Sequence, residues 1–159
     1  MKAFTVLILG ACIAMTLPAQ AQSREEKKTG RAEAVAKALD ARTFKVGVDY
    51  MIPRRGKSRA LTSPYSVEVR GDSICSCLPY VGRGFNVPYG GGQGLNFSAA
   101  ISQYEDEEGK KGRRLITIKV RSDEDSYTYR LTVYPDGQAS LNVQPTERES
   151  ISYRGELEY

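Results

Sequence analysis

Two cysteines, Cys75 and Cys77, and a scatter of carboxylates are the side chains in this 159-residue chain with the most chemistry in them. Histidine is absent, which removes the imidazole base of a Ser-His-Asp triad and every His-ligated zinc site. Two thiols alone do not complete a tetrahedral metal site. On a strand, residues two apart share a face about 7 Å apart, too far for an unstrained disulfide. The expectation is a pair of small, buried or half-buried strand residues. A strained local bridge, an intermolecular bridge or redox chemistry remain as alternatives. No metal and no cofactor is expected. Of the acids, Asp49, Glu68 and Asp72 lie near strand ends and could serve a carboxylate-dependent hydrolase acting on glycans. That chemistry needs two carboxyl groups about 5–9.5 Å apart across a cleft, and nothing in the spacing selects these three.

The segment Gly71–Tyr89, followed by Gly90-Gly91-Gly92, interleaves short apolar pieces with glycine and proline. Arg83, Phe85, Tyr89 and Gly91 in it are the candidate ligand-binding residues, since glycine allows close backbone approach and loops carry function. The competing account is an irregular crossing between sheet edges, with the aromatic rings plugging the core. Arg54, Arg55, Lys57 and Arg59 form a basic run and Glu105–Glu108 and Asp123–Asp125 form acidic ones. All three are expected as solvated loops or turns, and neither acidic run has calcium-loop spacing. With a net charge of only +4, no nucleic-acid partner is expected.

The elements that must position these residues are legible from periodicity. Lys2 precedes an apolar run from Ala3 to Leu17 and an Ala19-Gln20-Ala21 site, the pattern of a signal peptide cleaved after Ala21. Leu9-Gly10-Ala11-Cys12 is similar to a lipoprotein box, but the apolar run continues past Cys12, so lipid anchoring through Cys12 is the lesser alternative. The mature chain, residues 22–159, then reads as one domain with no transmembrane segment, in the periplasm or secreted. Ala32, Val35, Ala36 and Leu39 form one helical stripe, with the helix starting between Lys28 and Arg31 because Gly30 weakens the first turns.

From Thr43 the period changes to two. Phe44, Val46, Val48, Tyr50 and Ile52 share one face of the first strand, which Pro53 ends. Further strands follow at Leu61–Arg70, Ser73–Leu78, Leu95–Ser98 with Ala99–Tyr104, and Arg113–Val120. Three more hold Tyr127–Val133, Ala139–Val143 and Ile151–Leu157. Tyr127, Tyr129 and Tyr153 are expected on a sheet face covered by the helix; an exposed aromatic stripe would instead suggest a binding face. The fold class predicted is α+β, an N-terminal helix packed on one antiparallel, largely meander sheet of about seven or eight strands.

Several stretches carry a family resemblance. They are Pro53 with Gly56, Leu61-Thr62 with Tyr65, and Val69-Arg70-Gly71-Asp72-Ser73. Leu78-Pro79-Tyr80, Gly82-Arg83, Pro88-Tyr89 and Gly94-Leu95-Asn96-Phe97 continue it. Tyr129 to Val133, Gly137-Gln138-Ala139-Ser140-Leu141 and Ile151-Ser152-Tyr153-Arg154-Gly155 complete it. Through these the chain resembles the small exported Bacteroidetes proteins called domain of unknown function 4251. The LPY-x-GR piece is the most specific. The resemblance implies an N-terminal helix over Arg24 to Ala41, a secreted or lipidated protein, and no catalytic residue to carry over. It also implies little for Cys75 and Cys77, where relatives have other small or apolar residues. The functional expectation is an exported, non-catalytic binding protein for an unidentified protein or glycan. A hydrolase and a structural or inhibitory module are the rivals.

Overall fold

A computed structural model describes residues 19–86, 89, 90 and 92–158, with side chains from residue 24 onward. The expected signal segment through Pro18, including Cys12, and the candidate Gly91 lie outside the described residues. One helix, α1 (Ala19–Asp40), precedes eight strands: β1 (Thr43–Pro53), β2 (Arg59–Arg70), β3 (Ser73–Leu78), β4 (Leu95–Glu108), β5 (Arg114–Arg121), β6 (Ser126–Val133), β7 (Gln138–Pro145) and β8 (Ile151–Glu158). The helix begins earlier than expected. Its buried residues are Val35 and Leu39, on the anticipated stripe.

The predicted open meander sheet is corrected. Each strand pairs antiparallel with its neighbours in sequence, and β8 returns to pair with β1, from Pro53↔Ile151 to Lys45↔Glu158. The eight strands therefore make a closed barrel. Closure joins the first strand to the last, so no strand is an edge strand along its whole length, and turns one face of every strand into a common interior. Val46, Val67, Val69, Ile116, Ile118, Leu131, Val133, Leu141 and Val143 fill it. Alternation along a strand is the same whether its sheet is open or closed, so this step was invisible in the pattern.

Two local departures follow. In β1 a bulge between Val48 and Tyr50 leaves Asp49 and Tyr50 both exposed and moves the buried set to Met51 and Pro53. Tyr50 and Ile52 were expected inside; an extra residue in a strand flips every side chain beyond it. On the partner strand, Val48 pairs with Tyr65 but Tyr50 pairs with Ala60, so Leu61–Pro64 arch out opposite the bulge. Second, Glu105–Glu108 is no turn. It is the last part of β4, paired with Thr117–Arg114 of β5, and Asp106 is tied to Arg114.

The barrel has two unlike ends. At one, α1 packs on β1, Leu39 is fully buried, and Asp40 meets Arg114 at 3.0 Å. Arg31 faces Glu156 at 3.8 Å, and the Arg42 guanidinium lies 4.4 Å over the Tyr104 ring. At the other end lie the β1–β2 loop, the long segment Pro79–Gly94, the β5–β6 turn and the β7–β8 loop. No helix among the described residues is long and apolar enough to cross a membrane.

Candidate functional site

The loop end is held together from inside the barrel by three tyrosine hydroxyls. Tyr153 donates to the Pro79 carbonyl at 2.6 Å, Tyr127 to the Gly94 carbonyl at 3.1 Å, and Tyr129 to the Ser76 hydroxyl at 3.0 Å. The rings are buried and their hydroxyls anchor both ends of the long loop, because a buried phenol needs a partner for its O–H. Burial pushes all three phenols above the ordinary tyrosine pKa. These tyrosines therefore lie in the barrel interior and reach the loop end, whereas a helix-covered sheet face was expected.

Backbone bonds then strap the long loop to the β7–β8 loop. Phe85 N–H donates to the Glu147 carbonyl at 2.7 Å and Glu149 N–H to the Arg83 carbonyl at 2.9 Å, while Gly84 and Arg148 form an isolated bridge. The Tyr80 hydroxyl donates to the Glu149 carbonyl at 2.9 Å. Gly92 has φ +64°, and a Cβ there would collide with the Glu124 carboxylate, so this position takes glycine.

Three charged side chains are buried here. Asp125, expected as part of a surface turn, accepts from the N–H groups of Ser126, Thr146 and Glu147 at 2.6, 3.1 and 3.1 Å. Arg148 donates to Glu124 at 3.3 Å and lies 5.7 Å over the Tyr80 ring. Glu149 pairs with Arg55 at 3.4 Å and accepts from Arg83 N–H at 3.3 Å. Arg55 thus leaves its expected role in a purely solvated basic loop and reaches across to the strap. Sequence reasoning missed this network because its members look like ordinary surface charges. The one available signal was the run Thr146 to Glu149 following a proline that ends a strand.

The sequence candidates fall as follows. Arg83, Phe85 and Tyr89 are all exposed, Phe85 by 69% and Tyr89 fully. They do not plug the core. The clefts beside them are lined by other residues: one by Leu78, Tyr80, Gly92–Asn96 and Arg148, another by the start of β4 and the β5–β6 turn. Cys75 and Cys77, expected buried or half-buried, are instead free thiols exposed on the outer face of β3, opposite Glu68 and Ser66 of β2, because Ile74, Ser76 and Leu78 take the inner face. Asp49 sits at the β1 bulge and lines a cleft with Glu156 and Glu158, but Glu68 and Asp72 do not join it. Glu68 is clasped by Arg70 at 2.7 and 2.9 Å, and that hydrogen bonding holds its carboxyl below the usual range. A general acid needs the opposite shift.

A family model described as "Domain of unknown function (DUF4251)" matches residues 26–157. The fold is similar to a crystal structure of a DUF4251 family protein from Bacteroides eggerthii DSM 20697, at 18% identity and a TM-score of 0.65. That match covers 84% of this chain and 90% of the other. No curated protein matches the chain.

Proposed function

The chain belongs to the DUF4251 family, and on that premise we propose that it is an exported, non-catalytic binding protein that presents the loop end of its barrel to a protein or glycan partner. One observation carries this reading. Phe85 and Tyr89 project into solvent from a loop whose base is strapped by backbone hydrogen bonds to Glu147 and Glu149. An aromatic ring on a strapped backbone, as at Phe85, offers large contact area at little cost in ordering, which is how hot spots are built, and Tyr89 adds a second exposed ring. Arg83, whose backbone is part of the same strap, adds a cation and five donors. Val81 is a further exposed apolar residue of this loop.

The carboxylate hydrolase has no comparable support. Of its three acids only Asp49 lines the cleft with Glu156 and Glu158, and the Glu68 carboxyl is held below the usual range, away from general-acid behaviour. Export rests on the signal pattern alone; N-terminal sequencing of protein from periplasmic and medium fractions tests it, with Gln22 the expected first residue.

Binding is tested with immobilised wild-type protein and the Phe85→Ala/Tyr89→Ala double variant. Both are exposed to periplasmic extract and to a glycan array. Loss of two exposed anchors is expected to weaken capture by about tenfold or more, with the melting temperature unchanged. Equal capture by both proteins would remove this surface from consideration.

A further inference from the structure

Strand β4 changes partner halfway along. Leu95–Ala100 pairs with β3, from Leu78↔Leu95 to Ser73↔Ala100, whereas Ile101–Glu108 pairs with β5. The β5 side of Leu95–Ala100 therefore has no strand beside it. The Ile101 N–H donates to the Asp72 carbonyl at 2.8 Å, and antiparallel ladders alternate. The N–H groups of Phe97 and Ala99 thus point toward β3, and those of Asn96 and Ser98 point to the bare edge. The Asn96 N–H is taken by the Gln93 carbonyl at 3.2 Å. Ser98 presents its amide and carbonyl with no strand opposite.

A cleft of about 440 Å³ fills this gap. Phe97, stacked on Tyr127 at 4.6 Å between ring centroids, forms the inner wall. Arg121, Ser122, Asp123 and Glu124 form the far wall. At one end the Gln93 N–H donates to the Glu124 carboxylate at 3.0 Å; at the other, Ile101 pairs with Val120 and closes the edge in line with the strand. A bare strand edge is recognised by peptide backbone. A chain lying along this edge cannot continue in line past Ile101. The side chain at that blocked end is Arg121, which has no ion pair among the described residues.

We propose that this cleft takes the free C-terminus of a polypeptide as a strand added alongside β4, with Arg121 receiving the terminal carboxylate. The added strand runs parallel to β4, since only that direction brings its C-terminus to the Ala100 end. At about 3.3 Å per residue, roughly four residues span the bare edge. Asp123 on the far wall favours a neutral or basic side chain upstream of the carboxylate and disfavours an acidic one. The site uses none of Arg83, Phe85 or Tyr89, so it stands or falls separately from the loop surface.

The test is affinity selection with mass-spectrometric readout, using N-acetylated hexapeptides of random sequence. One pool has a free C-terminal carboxylate and the other is amidated. Enrichment from the free-acid pool is expected, with amidation of a selected peptide weakening binding by about tenfold or more. Arg121→Ala should reproduce that loss, and Phe85→Ala/Tyr89→Ala should leave binding intact. In hydrogen exchange, the selected peptide should newly protect the Ser98 amide. N-methylation at alternate peptide amides should abolish binding without any change to the protein. No enrichment, equal binding of acid and amide, or binding that leaves Ser98 unprotected would each overturn the proposal.

Discussion

The two ends of the barrel are closed by opposite means. At the helix end the stopper is apolar: Val35 and Leu39 are buried, and the charges around them, Arg31, Asp40 and Glu156, are exposed. At the loop end the closure is polar. All four buried polar or charged residues among those described, Ser76, Asp125, Arg148 and Glu149, lie there. Hydrophobic burial is non-directional and stabilises without fixing fine geometry. Buried hydrogen-bonded charges carry a desolvation cost but demand one arrangement. The helix end therefore secures the fold, and the loop end fixes the shape of a surface.

The contrast is broken most forcefully at Leu39. Leu39→Ala removes a fully buried stopper and is expected to lower unfolding free energy by about 4 kcal/mol, measured by urea denaturation. Exchange at the Phe85 and Glu149 amides under native conditions should rise only as far as global stability falls. If the loop amides gained more exchange on this substitution than the global loss accounts for, the two ends would not be independent.

Asp125→Ala tests the other end. It leaves three N–H groups without their shared acceptor and is expected to destabilise by about 3 kcal/mol. Here the Phe85 and Glu149 amides should lose protection beyond the global change, while the helix amides near Leu39 do not.

Alkaline titration tests the buried phenols, two of which anchor the loop end. Tyr129 and Tyr153, the interior anchors toward the loop end, are raised above the ordinary phenol pKa of about 10 by burial. The unfolded chain loses those protons near pH 10 while the folded barrel keeps them. Their contribution is complete below pH 10 and falls as pH rises beyond it, by about 1.4 kcal/mol per pH unit for each tyrosine. Tyr104, pushed up to about 12 mainly by burial, adds to the same decline at the helix end. Tyr153→Phe should make the decline shallower when stability is measured by denaturation between pH 9 and 11. An unchanged slope would mean that this phenol ionises in the folded state.

The smallest effect is expected from Arg31→Ala. Its ion pair with Glu156 is 3.8 Å long and exposed on both sides. Such pairs contribute about 0.5 kcal/mol or less. A loss several times larger would show that the helix end also depends on polar geometry.

Much of this architecture is legible in the chain. Ile74 and Leu78 inside with Cys75 and Cys77 outside, the alternation of Ile116, Ile118 and Val120, and the Val35–Leu39 stripe all follow from period two or period 3.6. The misreadings share one cause. A bulge at Asp49 leaves no mark on composition, so Tyr50 and Met51 were placed on the wrong faces. Glu105–Glu108 has the composition of a turn, but pairing with β5 decided it as strand. Asp125, Arg148 and Glu149 are residue types normally found in water, and they are buried because segments distant in sequence supply their partners.

By itself, the sequence determined most of the segments, the buried face of most strands, several of the turns, the family signature and the absence of imidazole chemistry. The tertiary structure decided that β8 meets β1, that β4 exchanges partners and leaves Ser98 facing a cleft, and that a loop rich in glycine is strapped onto buried charges. The physical reason is that side-chain periodicity records how each residue faces its own strand or helix. Which strand lies alongside is set by pairing and packing between residues far apart in the chain, and local periodicity does not encode it.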